Sequence, residues 1–510
     1  MQNIELVLGL LVAVAALVTV ARRLDIPYPI LLVVGGLVLG FIPRLPQVEL
    51  SPDLVFLLFL PPLLFWGALN TSQREFRANL RPIFSLSIGL VLFTMAVVAV
   101  IAHTVIAGLS WPAAFVLGAI IAPTDAVAAE AIAERLPLSK RIMTVLEGES
   151  LLNDATALVA YSVAVAVAMG GSFSPVGAGL QFFGASLGGV GIGFAVGWVI
   201  GKIHRYLHDP LVGNTISLLS GFAAYLPAQA LGASGVLAVV TTGIYLGRLG
   251  PHIVSSQSRL QGVQMWSVVV FLLNGLLFIL VGLQLHRITR VAFASYSAIN
   301  LITSAVLVIL TVVLVRLIWV FSASYLPHAL SRRSASIVAW TGMRGGVSLA
   351  AALALTTTFP GRILIIFLTF CVILATTVAQ GLSLPFLIGW LQPPDDGAAQ
   401  REETNARLKV SRAALARLND LASEEWVPQE ILDDLRAHYQ EKEQGFTARI
   451  EGSEDGNQEE YTRAQVRVKR EVITAQRNKL LELRSKGMID DEVLRLIQRD
   501  LDLDEIRFPP

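Results

Sequence analysis

Apolar segments of membrane-crossing length fill the first three quarters of the chain. They fall near residues 3–20, 28–42, 53–69, 82–107, 110–133, 142–169, 175–201, 211–229, 232–247, 263–285, 296–323, 334–356 and 363–391. Most could cross about 30 Å of hydrocarbon as a helix, although the second is short. The pattern predicts an all-α, polytopic membrane protein with about thirteen transmembrane helices. Several spans carry interruptions: Pro61-Pro62 in the third, Ala122-Pro123-Thr124-Asp125 in the fifth, and Gly342 with Gly345-Gly346 in the twelfth. Proline removes a backbone donor and glycine loosens a helix, so a break is expected at each. At membrane depth the freed backbone groups must line a cavity or meet protein partners. Broken helices near the midplane are how secondary transporters present carbonyls and half-helix ends to an ion.

The pattern changes after the last apolar segment. Pro393-Pro394 and Asp395-Asp396 mark a linker, giving a membrane domain over 1–392 and a helical domain over 393–510. Helical periodicity appears in the second domain around 414–421, 431–439 and 466–483, with a polar break at 452–456. Charge follows the same division. Residues 1–390 carry 20 Lys/Arg and 12 Asp/Glu, whereas 391–510 carry 19 and 26, so a net charge of +1 hides parts of +8 and −7. Only 15% of the 510 residues are charged, against roughly 25% in an average soluble protein.

Orientation follows from the basic residues. With the N-terminus outside, the inside loops hold 14 Lys/Arg and the outside loops only Arg44, Arg287, Arg290 and Arg362. That bias places the C-terminal domain in the cytoplasm of a cell (inner) membrane. The first apolar stretch is followed by Arg22-Arg23 rather than a small-residue cleavage site, so it reads as a membrane helix and not a signal peptide. The one cysteine, Cys371, excludes an intramolecular disulfide and a Cys-type metal site. No Walker sequence occurs, so ATP-driven transport is unsupported.

Ionisable residues inside the spans are the candidate chemistry, because a charge in the bilayer core costs a few kcal/mol or more. Asp154 stands about 12 residues, or ~18 Å, above the inner boundary, near the midplane. Ser150 lies four residues before it on the same face, with Asn153 beside them. Hydroxyl, amide and carboxylate oxygens then converge, a donor set suited to a hard cation such as sodium. Asp125, after Pro123-Thr124, offers a second carboxylate from the preceding span. Glu149 shares a face with Asn153 and points away from Asp154, so it is expected to pair with a cation on another helix. Arg344, the most central basic residue of the late spans, is the first choice, and Arg316 the alternative. Glu147, two turns below Asp154, reads equally as an ion-attracting funnel residue or as a wet vestibule side chain. An apolar site disfavours the charged form of Asp154, so protons compete with sodium for one carboxylate. Gly189, Gly193, Gly197 and Gly201 form a close-packing stripe, expected to face a helix of the same subunit.

Pro123-Thr124-Asp125-Ala126-Val127-Ala128, Glu147-Gly148-Glu149-Ser150-Leu151-Leu152-Asn153-Asp154-Ala155 and Arg344-Gly345-Gly346 closely resemble sodium/proton antiporters of the first monovalent cation:proton antiporter group. The likeness spans about residues 1–390 and includes Leu60-Pro61-Pro62. It implies an inverted-repeat antiporter fold with discontinuous helices and no cofactor beyond the transported Na+ and H+. It also implies that Asp154 binds the ion or proton, that Asp125, Ser150 and the Thr124 backbone assist, and that Glu149 pairs with Arg344. The Asn153-Asp154 pair marks electroneutral members. One departure is Trp66, where members often carry an acidic residue. The expected function is exchange of sodium or lithium for protons by alternating access at Asp154, in a homodimer that binds no nucleic acid. A potassium/proton antiporter with the same mechanism is the nearest alternative. An intramembrane aspartyl protease is a further one, but Asp154 follows Leu-Leu-Asn rather than a Gly-x-Gly context.

Overall fold

The computed structural model describes residues 2–24, 26–42, 52–125, 138–171, 174–207, 209–324, 331–391, 398–424, 426–451, 456–486, 488 and 491–506. Residues 126–133 of the expected fifth span, Arg44, Arg135, the Pro393-Pro394 and Asp395-Asp396 linker and residues 452–455 lie outside them. Every regular element among the described residues is helical. The membrane part comprises α1 (Gln2–Arg23), α2 (Tyr28–Gly40), α3 (Pro52–Asn70), α4 (Leu80–Val105), α5 (Trp111–Ile121), α6 (Lys140–Ala168) and α7 (Pro175–Tyr206). It continues with α8 (Pro210–Ala230), α9 (Gly235–Ile253), α10 (Ser256–Ser295), α11 (Ala298–Ala323), α12 (Arg332–Trp340), α13 (Gly346–Leu353) and α14 (Arg362–Leu391).

Helix starts are written in the sequence. Ser110, Ser174, Asp209, Ser234, Ser255 and Ser331 each cap a helix by accepting a backbone N–H of its first turn, which satisfies one of the donors a helix leaves open there. Nine of the described helices are long and apolar enough to cross a membrane, and α2, α5 and residues 56–70 of α3 are shorter apolar helices. The expected twelfth span is two half-helices, α12 and α13.

Pro61-Pro62 does not break the third span: α3 runs through both prolines. The carbonyls of Leu57 and Leu58 lose their usual donors there, but tight packing holds the helix. Gly221 of α8 lies against the Pro61 carbonyl, and Gly243 of α9 against that of Phe65. The Gly189–Gly201 stripe of α7 packs on α9, where Thr242 Oγ1 donates to the Gly193 carbonyl at 2.8 Å.

Two apolar clusters build the membrane part. One gathers Leu60, Phe65, Ala224, Val239 and Trp266, from α3, α8, α9 and the start of α10. The other, larger one joins α4 and α5 to α11, α12 and α14 and to the second half of α10, from Leu277 to Ala292. Helix α6 contributes Leu151 and Ala155 to the first and Val145 and Leu146 to the second. The long helices α6 and α10 thus belong to both.

Contacts separate a second unit, Asp396–Pro510, from Met1–Asp395. It contains α15 (Ala398–Leu421), α16 (Gln429–Glu451), α17 (Gly456–Ser485) and α18 (Asp491–Ile506). Ile473, Leu480, Leu494 and Leu501 close α17 on α18, and Arg477 bridges to Asp502 and Glu505 at 2.6 and 2.7 Å.

Candidate ion-binding site

Two helices stop within the membrane part, and their non-helical stretches meet. α5 stops at Ile121 and continues as an irregular stretch through Asp125, while α12 stops at Trp340 and gives way to non-helical residues 341–345 before α13. The stretches are joined where the Asp125 N–H donates to the Met343 carbonyl at 2.8 Å. Arg344 is anchored from α14: its N–H donates to Thr376 Oγ1 at 3.2 Å, and Thr377 Oγ1 donates to its carbonyl at 3.3 Å.

A half-helix that ends in the membrane leaves carbonyls unsatisfied and a partial negative charge at its end. Here an arginine meets each one. Arg344 Nε donates to the carbonyl of Ile121, the last residue of α5, at 3.1 Å, and Nη1 donates to the Gly342 carbonyl. Arg316 Nε and Nη2 donate to the carbonyl of Val338, in the last turn of α12, at 3.2 and 3.0 Å. At the opposite polarity, the Asp125 carboxylate packs against Gly345 at the N-terminus of α13, where a β-carbon would collide with it. A carboxylate there is favoured by the helix dipole. Gly342 has a similar reason, since a β-carbon would meet the Arg316 side chain.

Glu149 pairs with Arg316 and not with Arg344. Its Oε1 and Oε2 accept from Arg316 Nη1 and Nη2 at 2.5 and 2.9 Å, and both side chains are buried to within 2%. Residues 341–345 leave the helical path, and the Arg344 side chain turns to the end of α5, while Arg316 reaches past Gly342 to Glu149. Thr124 completes this polar knot: its hydroxyl donates to Glu149 Oε1 at 2.8 Å. Asn153 Nδ2 approaches both the Thr124 carbonyl, at 2.9 Å, and its hydroxyl, at 3.0 Å.

Asp154 is placed differently. It is buried, 6% exposed, and no hydrogen bond or salt bridge to another described residue holds its carboxylate. It lines a cavity of about 250 Å³ together with Thr124, Asp125, Glu147 and Ser150. Asp125, Glu147 and Asp154 are its charged lining groups, and no Lys or Arg is among the residues lining it. Such a wall attracts cations and repels anions. Among the described residues no three His, Cys, Asp or Glu side chains form a tight metal cluster. The oxygens are spread over the cavity wall, as suits a cargo ion that must leave again.

Three lining residues escaped the sequence reading: Asn70, Asn274 and Ser348. Asn274 had a signal, an amide alone in the apolar run 268–283 of α10. Trp66 also lines the cavity and stacks on Trp266, with ring centroids 5.5 Å apart and 17° between planes.

A helical membrane protein with two interrupted helices meeting beside a carboxylate-lined cavity belongs to the class of secondary ion transporters. Residues 9–390 match the transmembrane sodium/hydrogen exchanger family, and the chain belongs to that family. It is 38% identical to a Mycobacterium tuberculosis protein described as an uncharacterized Na+/H+ exchanger, over 99% of this chain and 97% of that one. It is 34% identical to a Na+/H+ antiporter of Aphanothece halophytica, over 82% and 80%. Its fold matches the sodium proton antiporter of Methanocaldococcus jannaschii with a TM-score of 0.60 at 21% identity, covering 75% of this chain and all of the other. The family consists of transporters, so the protease alternative falls.

Proposed function

We propose that the protein exchanges sodium for protons across the cell membrane, one for one, by alternating access at Asp154. One observation carries the reading. Of two buried carboxylates five residues apart on α6, Glu149 is locked to Arg316 and Thr124, whereas Asp154 faces the cavity with no such bond among the described residues. A carrier must release what it binds, and only an unlocked carboxylate can trade one cation for another. Asp125, Ser150 and Thr124 are the assisting oxygens, and Glu147 lies on the same cavity wall. The two apolar clusters flanking the cavity are the bodies whose relative motion would expose Asp154 to one side and then the other. The N-terminus is assigned to the outside and the tail to the cytoplasm, from the arginine and lysine bias.

With Asn153 neutral, Asp154 is the group that changes occupancy. Sodium on Asp154 and a proton on Asp154 leave the site with equal charge, so the cycle moves no net charge. A membrane potential acts at ~2.3 kcal/mol per net charge per 100 mV, and this cycle should ignore it. In proteoliposomes holding a pH dye, added Na+ should drive proton movement, with Li+ and K+ as parallel arms. With the voltage clamped by potassium and valinomycin, the sodium gradient that just nulls proton flux should stay fixed. A null point that moves with voltage would mean that a second charge travels, with Asp125 the first suspect.

The protein is also assigned as a homodimer. α7 presents Val176, Leu180, Phe183, Leu187, Val190 and Phe194 outward at alternating spacings of four and three, a seam suited to a second helix. Light scattering in mild detergent should give twice the chain mass, and a monomer mass would remove this assignment.

A further inference from the structure

The polar groups of the cavity are unevenly distributed. α6 and the stretch 123–125 supply Ser150, Asp154, Thr124 and Asp125, whereas the α3 wall is apolar over Phe59, Leu63 and Trp66. Trp66 lines this wall, and its stack on Trp266 fixes it in place. Asn70, the polar residue on α3, spends its Nδ2 hydrogen on the Trp66 carbonyl at 3.0 Å. On α10 the lining residues are Val270, Asn274 and Leu277. Of these Asn274 alone is polar; it is 4% exposed, and no described residue hydrogen-bonds its amide. Its polar atoms are not among the fully enclosed ones left without a partner; the amide opens onto the cavity, where a water or an ion is its available partner.

We infer that Asn274 is a specificity-determining ligand, closing the cation's coordination from α10 on the side of the cavity where α3 offers no carboxylate. This rests on Asp154 being the ion carrier. The chemistry separates the two competing ions. An amide oxygen is a hard, neutral donor that binds sodium through its dipole and takes up no proton in the working pH range. Sodium needs several oxygens, while a proton on Asp154 needs only the carboxylate. Loss of the Asn274 oxygen therefore weakens sodium binding and leaves proton binding nearly untouched. Position adds a second consequence. Trp266, two turns before Asn274, belongs to one apolar cluster, and Leu277, one turn after, to the other. A cation held between Asp154 and Asn274 ties α6 to α10 at the point where α10 passes between the clusters.

The test compares Asn274→Leu, which keeps the volume and removes the oxygen, with Asn274→Asp, which restores an oxygen. Sodium-dependent proton flux in proteoliposomes and sodium binding to the purified protein by calorimetry are both read. Asn274→Leu should raise the sodium KM and dissociation constant at least about tenfold, the loss of ~1.4 kcal/mol, with the maximal rate within about twofold and the pH of half-maximal proton release, measured without sodium, unmoved. Asn274→Asp should recover sodium affinity to within about threefold of the parent. If Asn274→Leu fails to assemble, Asn274→Val, which also lacks the oxygen, is held to the same expectation. A sodium KM unchanged in the apolar variant, or one that shifts together with the proton midpoint, overturns the assignment. Failure of the underlying reading is visible separately, as sodium-dependent flux that persists in Asp154→Asn.

Discussion

Asp154→Asn is expected to abolish sodium-dependent proton movement while leaving the protein folded. The amide cannot accept a proton as the carboxylate does, and it brings no charge to balance sodium, so both halves of the cycle stop. Folding should survive because the Asp154 side chain has no hydrogen bond or salt bridge among the described residues to lose. Exchanging a buried carboxylate for a neutral amide also removes a desolvation cost, so the melting temperature should stay level or rise. Flux measured with a pH dye, beside a thermal melt, reads both outcomes. Robust flux in a well-folded variant would remove Asp154 as the carrier. The same single-carboxylate logic governs pH in the unaltered protein. Where protons already occupy most sites, each further unit of falling pH should raise the sodium KM roughly tenfold with the maximal rate unchanged.

Much of this site was legible because membrane burial makes charge expensive. Asp125, Glu149, Asp154, Arg316 and Arg344 stood out as ionisable residues in apolar runs, and the Pro123 and Gly345-Gly346 interruptions marked where helices stop. The partner of Glu149 was not legible. Depth along a span ranked Arg344 first, but depth says nothing of side-chain direction once the backbone leaves the helix. In the non-helical stretch 341–345, Arg344 meets the Ile121 carbonyl. Pro61-Pro62 misled for a related reason: whether a proline pair opens a helix depends on what packs beside it, and Gly221 and Gly243 are on helices far along the chain. Asn274 passed unnoticed because an amide carries no charge and costs less in an apolar run than a carboxylate. In the tail, α18 was missed since half of the apolar face it shares with α17 comes from Ile473 and Leu480. Half of its own 16 residues are charged, although Val493, Leu494, Ile497 and Leu501 recur at helical spacing.

The second large effect is expected at the buried ion pair, and it falls on stability. Among the described residues, Glu149→Gln leaves the buried Arg316 with the Val338 carbonyl for its charge, and Arg316→Gln leaves Glu149 with Thr124. Breaking one partner of a buried pair costs about 3–5 kcal/mol, so each single variant should express poorly and melt early. The double variant should regain part of that loss, because no uncompensated charge remains. Arg344→Gln should also destabilise, by baring the α5 end at Ile121, yet adding Glu149→Gln should bring little recovery. Melting temperatures for the two double-mutant cycles separate these cases. Residues in direct contact typically couple by about 0.5–3 kcal/mol, and the 149/316 cycle should show that coupling more strongly than the 149/344 cycle. The reverse order would assign Arg344 as the working partner of Glu149. Arg316 would then serve chiefly as the cap on α12, through its two bonds to Val338. Stability and exchange should also separate here. A Glu149/Arg316 double variant that folds keeps Asp154, Ser150 and Asp125 around the cavity, so it should retain sodium-dependent flux that no Asp154 variant can show.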